Sequence, residues 1–125
     1  MKRDMNLIRN IMLHVRNGND DFVSVGRHIF EEVGLSITED TIGESWGKFN
    51  YHVSLIKDAG FFYCIGAVAV NRGQLVELTW AGHEFIENIA DDTAWDVVSD
   101  WATEHGVSVT QLLIEEYFDI PRYGR

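Results

Sequence analysis

The sequence has little cysteine or proline and no long apolar run, and each shortage excludes a class of protein. The single cysteine, Cys64, cannot form an internal disulfide, and with no export signal at the N-terminus this favours the reducing cytoplasm. No apolar run approaches the ~20 residues that a helix needs to cross a bilayer. The lone proline and the absence of repeats or flexible linkers indicate one domain over residues 1–125. Its 46% of hydrophobic residues is enough for one core.

Positive charge is scarce in the last third of the chain. Residues 1–80 contain 8 Lys/Arg and 10 Asp/Glu, whereas residues 81–125 contain 2 Lys/Arg and 10 Asp/Glu. No basic residue lies between Ala81 and Pro121. Because proteins that grip DNA by its phosphates usually have a basic face, the last third does not suit that role, while the first 80 residues leave it open.

Apolar residues at helical spacing predict a first helix over residues 4–17, with Asp4 at its positive end. The sequence Asn17-Gly18-Asn19 ends it. Residues 20–37 fit either a helix that ends at Gly34 or a partly extended segment. The stripe of the first helix consists of Met5, Ile8, Met12 and Val15, widened by Leu7 and Ile11.

A short second helix is predicted from Thr38, as its N-cap, to Gly43. Ser45 is the predicted N-cap of a third helix that ends near Ala59, where Gly60 can adopt positive φ. The core stripe of this third helix is Phe49, Val53 and Ile56, with Tyr51, His52 and Leu55 beside it.

The next segment changes to strand chemistry. Residues 61–65 with 67–70, and residues 74–80, are two apolar arms around Asn71-Arg72-Gly73, which predicts a β-hairpin. Three helices are predicted after it: one over 81–89, one from Asp92 or Thr93 to Gly106, and one from Ser108 to Pro121. Thr93 with Asp96 has the spacing of a capping box, and Phe85, Ile86 and Ile89 are expected to face inward.

The predicted fold class is α+β, mostly α. The order of helix, short helix, tight turn, helix and hairpin is that of a winged helix-turn-helix, with the hairpin as a two-stranded wing. Residues 1–80 form this unit, and residues 81–125 form an acidic helical extension. The junction over residues 51–61 joins an amphipathic helix end, a glycine and an apolar strand, as in many winged-helix regulators.

Three stretches carry a resemblance to a known family. They are Met1 to Arg9, Tyr51 to Gly60, and Leu78-Thr79-Trp80-Ala81-Gly82-His83-Glu84-Phe85-Ile86 continuing through Asp91-Asp92-Thr93-Ala94-Trp95. Together they resemble a bacterial and prophage family classed as a domain of unknown function with a winged-helix fold. The resemblance covers most of residues 1–118 apart from 18–40. It implies the fold and a phage or prophage setting, and it carries no catalytic residues.

In a winged helix-turn-helix the third helix enters the DNA major groove. Asn50 has the amide that can pair with adenine, and Lys48 can reach a guanine or a phosphate. Arg72, at the predicted tip of the hairpin, suits a minor groove, or equally an ordinary turn position that aids solubility. Arg9, Arg16 and Arg27 are further candidates for phosphate contacts. The expected exposed positions of the third helix are Trp46, Lys48, Asn50, Tyr51, Ser54 and Lys57.

These residues predict a regulator that binds double-stranded DNA, with a homodimer as its expected form. The charges from Glu44 to Asp58 sum to zero, so the same helix suits packing or a protein contact equally well. The alternative is an acidic protein-interaction module. The ten acidic residues without a base in 81–121 suit a phage accessory protein that binds a host protein, as a DNA mimic occupies a basic channel.

No pattern indicates an enzyme, a metal or a cofactor. His83 and Glu87 share a helix face but lack a third ligand. Asp91 and Asp92 stand at a helix start, where capping accounts for them. Cys64 suits an inert core position, and neither a phosphate loop nor a nucleophile elbow occurs. The tryptophans expected in the core are Trp80, Trp95 and Trp101. The alternative for Trp95 and Trp101 is a shared outer face that anchors a dimer contact.

Overall fold

The computed structural model describes residues 2–18, 22–68 and 73–105. Its fold is mostly helical α+β with a three-stranded antiparallel sheet, which confirms the predicted class. In chain order the elements are α1 Met5–Asn17, β1 Val23–Val25, a 3-10 turn Arg27–Ile29, α2 Phe30–Val33, α3 Ile42–Asp58, β2 Phe62–Val68, β3 Gly73–Leu78, α4 Trp80–Ile89 and α5 Asp92–Glu104.

The first helix forms as its sequence predicts. The carboxylate of Asp4 accepts the backbone N–H groups of Asn6 and Leu7, which caps α1. All six residues of its predicted stripe are buried. α1 packs against α2, α3, α4 and β3, so it lies at the centre of the core.

Residues 22–37 contain both of the structures that the sequence of this segment allowed. Its first part is β1, and its last part is α2, which ends at Gly34 in the left-handed region with φ of 94°. β1 pairs with β3 and β3 pairs with β2, both antiparallel, so the sheet order is β1-β3-β2. The predicted hairpin is thus confirmed as β2 and β3, with β1 as a third strand that the sequence did not identify. Its tip, residues 69–72, lies outside the described residues.

The predicted boundary between the second and third helices is wrong. No helix spans Thr38 to Gly43, and Ser45 is buried within α3 instead of capping it. The hydroxyls of Ser36, Thr38 and Thr41 bond to one another, and the Thr38 carbonyl accepts the N–H groups of Thr41 and Ile42. These polar groups therefore build one turn that leads directly into α3. The far end of α3 agrees with prediction, since Gly60 has φ of 82°.

Thr79 fixes where β3 ends and α4 begins. Its hydroxyl donates to the Gly60 carbonyl at 2.6 Å and accepts the Gly82 N–H at 3.0 Å. Trp80 is therefore the first residue of α4 and not the end of a strand, and it is 82% exposed, which corrects its expected core position. The inward residues of α4 are confirmed as Phe85, Ile86 and Ile89.

The last described helix starts at Asp92, the first of its two predicted starts and one residue before the predicted cap Thr93. The Trp95 N–H donates to the Asp91 carbonyl, so Asp91 precedes α5 and Thr93 lies inside it, contrary to the predicted capping box. Trp95 is buried as expected. The predicted helix over residues 108–121 and the side chain of Trp101 lie outside the described residues. Among the helices that the structure describes, none is long and apolar enough for a membrane span.

Candidate nucleic-acid interface

α3 has one buried face and one open face. Its buried residues are Ser45, Phe49, His52, Val53 and Ile56, and they pack α3 against α1 and β2. The open residues follow one another at steps of four and three, so they form one line along the helix. This line, called the α3 open line below, consists of Gly43, Gly47, Asn50, Ser54 and Lys57, all exposed.

Three of the predicted DNA-contacting residues share this line. Asn50, Ser54 and Lys57 are exposed on it, and Tyr51 lies beside it, half-buried, with its ring 5.3 Å from the His52 ring. Lys48 lies off the line at a half-buried position, and its ammonium is 3.1 Å from an Asp4 carboxylate oxygen.

Two other predicted positions do not belong to the described open line. Trp46 was expected to be exposed, but it is half-buried, and the centre of its ring lies 4.9 Å from that of Phe30. Arg72 lies outside the described residues.

A buried histidine attaches α3 to the start of α1. His52 has no exposed surface, its Nε2 accepts the Asp4 N–H at 2.8 Å, and its Nδ1 donates to the Lys48 carbonyl at 2.7 Å. Burial lowers the pKa of His52, because the charged imidazolium loses its water and could not accept the Asp4 N–H. The sequence placed His52 only beside the core stripe, since its partner lies 48 residues away.

The same cluster holds Asp4 in its ionised form. Burial raises the pKa of Asp4, but the Leu7 N–H, the Lys48 ammonium and the Asn6 N–H together outweigh this effect, so that the pKa lies below its usual value. Lys48 is thus engaged in fixing α1 against α3, which leaves Lys57 as the exposed cation of the open line.

The charge around the open line is slightly negative. Glu44 is exposed at the start of α3 and Asp58 is exposed beside Lys57 at its end, so the helix carries two exposed carboxylates and one exposed ammonium. Of the arginines considered for phosphate contacts, Arg9 is buried and donates to the carbonyls of Ile89 and Ala90, which corrects that expectation. The described part of this surface therefore lacks the basic character of a strong phosphate-binding face.

The other two arginines differ from Arg9. Arg16 lies 3.5 Å from a carboxylate oxygen of Glu87. Arg27 is exposed on the 3-10 turn, where it borders an open depression with His28. Neither lies on α3, so the sequence alone had no means to relate them to the open line.

The other chemical groups singled out in the sequence are a histidine–carboxylate pair and one cysteine. No group of three metal-ligating side chains occurs within the described residues, and His83 and Glu87 are both exposed on α4. Cys64 was expected in the core, but it is only half-buried. Burial raises the pKa of its thiol, which favours the protonated form of the sulfur.

The exposed charge of α4 and α5 has one sign. In the described part of α4 and α5, and in the turn between them, the exposed charged residues are all carboxylates, with Trp80 and Val97 as exposed apolar residues among them. These carboxylates are Glu84, Glu87, Asp91, Asp92, Asp96, Asp100 and Glu104.

Comparison with known proteins agrees with the family that the sequence resembles. Residues 2–108 match the family described as "Hypothetical protein (DUF2513)". An uncharacterized protein of Haemophilus influenzae is 30% identical over 98 residues, which are 77% of this chain and 74% of that protein. No solved structure matches the chain. The chain belongs to the DUF2513 family of hypothetical proteins.

Proposed function

We propose that this chain is a winged-helix protein that binds double-stranded DNA through α3 and the β2–β3 hairpin. The observation that carries the proposal is the order α1, β1, α2, α3, β2, β3 together with the position of α3, which exposes a whole face immediately before the hairpin. In winged helix-turn-helix proteins the corresponding helix lies in the major groove, and the hairpin contacts the adjacent DNA.

The dimensions and side chains of α3 support this role. Its 17 residues span about 25 Å, and the major groove is about 12 Å wide. The space in front of Gly43 is open, because a Cβ built there would meet no atom of the protein. The small residues of the open line therefore allow the helix backbone to come close to the bases. Asn50 lies mid-helix, where its amide can pair with adenine, and Lys57 lies near the C-terminal end, where it can reach a phosphate.

The few exposed cations lead to a specific expectation. We expect binding to non-specific DNA to be weak. The slope of log affinity against log salt concentration is about −0.9 for each phosphate contacted, so few contacts give a shallow slope. Discrimination between sequences then depends mainly on base contacts such as that of Asn50. Substituting Asn50 by alanine is expected to weaken specific binding by about tenfold or more.

The test is fluorescence anisotropy with duplex DNA selected from a random pool, at two salt concentrations. Asn50→Ala should reduce the preference for the selected sequence, whereas Lys57→Ala and Arg72→Ala should weaken binding to all sequences and each reduce the salt slope by about 1. Arg16→Ala is the matched control, because Arg16 pairs with Glu87 on α4. Absence of binding at low salt, or equal binding by all these variants, contradicts the proposal.

A second function, binding of a basic partner protein, is favoured by the acidic surface of α4 and α5. A surface whose exposed charged residues, over the described part of α4 and α5, are all carboxylates attracts a basic nucleic-acid-binding protein and competes with its DNA. The measurement is displacement of labelled duplex DNA from a basic DNA-binding protein of a bacterial host. No displacement at low salt is the result that counts against this function.

A further inference from the structure

The exposure of Trp80 has no explanation within the fold. Trp80 is 82% exposed, whereas Trp95 on the next helix is 8% exposed. Thr79 caps α4 with its hydroxyl, so the start of the helix does not depend on a tryptophan. Large apolar side chains that are solvent-exposed and surrounded by polar residues are typical of interaction sites. Tryptophan is also enriched among the residues that contribute most to binding energy.

The surroundings of Trp80 form a shallow acidic depression of about 210 Å³. Its other lining residues are His83, Glu84, Glu87 and Asn88, which lie on the solvent side of α4. Because Glu84 follows Trp80 by one helical turn, its carboxylate lies beside the indole on the same face.

His83 also borders a second depression, lined in part by Arg16 and Glu77, so the surface continues toward α1. Arg16 is the single Lys or Arg that borders either of these two depressions in the described chain, and it is paired with Glu87. The face therefore already accepts one guanidinium group at its edge.

Elsewhere in the same protein a guanidinium group lies over an indole ring. The guanidinium carbon of Arg9 lies 5.2 Å from the centre of the Trp95 ring, and Arg9 also forms an ion pair with Asp92. A guanidinium stacks on an indole and donates to a neighbouring carboxylate at once, and its weak hydration makes this less costly for arginine than for lysine. Trp80 and Glu84 offer the same two groups to a ligand from outside.

We propose that Trp80, Glu84 and Glu87 form a docking surface for an arginine side chain presented by a basic segment of a partner protein. The inference rests on the second function proposed above and names its site and its ligand chemistry. Charge complementarity selects this occupant: the carboxylates repel the phosphates of nucleic acids and of anionic lipids, which are the other common partners of an exposed tryptophan.

The test measures binding of a labelled peptide of alternating arginine and glycine to the full chain at low salt. Trp80→Ala should weaken binding about fivefold, and Trp80→Phe should weaken it less, because a smaller aromatic ring remains. Glu84→Gln should weaken it as well. A lysine–glycine peptide should bind less tightly than the arginine peptide and should lose less affinity with Trp80→Ala.

The matched control is Val97→Ala, since Val97 is an exposed apolar residue of α5, 61% exposed, on the same acidic surface. Equal affinity of the Trp80→Ala and Val97→Ala proteins would show diffuse charge attraction only and overturn the proposal. Loss of binding to single-stranded DNA or to anionic vesicles in Trp80→Ala, with the peptide unaffected, would overturn it in favour of those partners.

The two levels of the proposal fail separately. If Trp80→Ala displaces DNA from a basic host protein as well as the unaltered chain does, the acidic surface binds its partner without this docking site. If the unaltered chain displaces no DNA and the arginine peptide does not bind, both the second function and the docking site are excluded.

Discussion

The buried imidazole of His52 makes the stability of this fold depend on pH in a direction that its contacts determine. Its Nε2 must stay unprotonated to accept the Asp4 N–H, and burial lowers its pKa below the usual value. In the unfolded chain the same histidine takes up a proton below about pH 6.5. Between the lowered folded-state pKa and this value the unfolded state binds more protons, so the free energy of unfolding falls as pH falls.

The size of this effect has an upper limit. A histidine that stays neutral in the folded protein lowers the free energy of unfolding by up to about 1.3 kcal/mol between about pH 7.5 and about pH 5.5. His52→Gln keeps an oxygen that can accept the Asp4 N–H but cannot titrate in this range. We therefore expect His52→Gln to lose about 1 kcal/mol at neutral pH, through the lost bond to the Lys48 carbonyl, and to have a flatter pH dependence.

Urea unfolding followed by circular dichroism at several pH values measures both quantities. The other four histidines are present in both proteins, so their contributions cancel in the difference between the two pH profiles. His52→Leu, which removes the acceptor as well, should lose about 1–3 kcal/mol and be equally flat. Parallel profiles for the original chain and His52→Gln would refute the assignment of His52 as a buried neutral acceptor.

Three further predictions concern stability and are read from urea midpoints. Asp4→Ala should lose about 1 kcal/mol by removing the cap of α1, whereas Asp4→Asn keeps an acceptor and should lose less; equal losses would contradict the capping role. Arg9→Met should lose about 2–4 kcal/mol and Arg9→Lys should not restore it, because the carbonyls at the end of α4 need the guanidinium fork; full rescue by lysine would disprove this. Gly82→Ala should destabilise, since its Cβ would overlap the Phe61 carbonyl, while Gly43→Ala, which meets no atom, should stabilise by about 0.5–1 kcal/mol; the same sign for both would be inconsistent with the structure.

Periodicity predicted the parts of this fold that local sequence determines. The stripes of α1 and α3 are buried as expected, because one face of each long helix must leave water. The turn before α3 was mispredicted, since Ser45 and Thr38 look like helix caps in sequence. Their roles depend on which hydroxyls meet in space. The three residues of β1 were identifiable only from their partner strand, which lies about fifty residues later.

The candidate interface also contains residues that local spacing predicts correctly and residues whose positions depend on distant parts of the chain. The exposure of Asn50, Ser54 and Lys57 follows from their spacing on one helix, and it agrees with prediction. Lys48 also had the right spacing to border this surface, but Asp4 reaches it from another element, and sequence order gives no sign of that pair. Trp80 shows the opposite error, because an aromatic residue after an apolar strand is normally core.

The two proposed binding surfaces make different demands on charge, and their helices share α1 as a neighbour. α3 packs on α1 and β2, while α4 packs on α1, β3 and α5. Carboxylates near a groove-binding helix would repel phosphates within about 10 Å at moderate salt, whereas carboxylates farther away are largely screened. The start of α4 lies beside the end of α3, since the Thr79 hydroxyl donates to the Gly60 carbonyl, so the carboxylates of α5, which follows α4, are the ones expected to be screened from α3 at moderate salt. Reversing charges on α5, by Asp96→Lys with Asp100→Lys, should consequently weaken peptide binding strongly and change DNA affinity little at moderate salt.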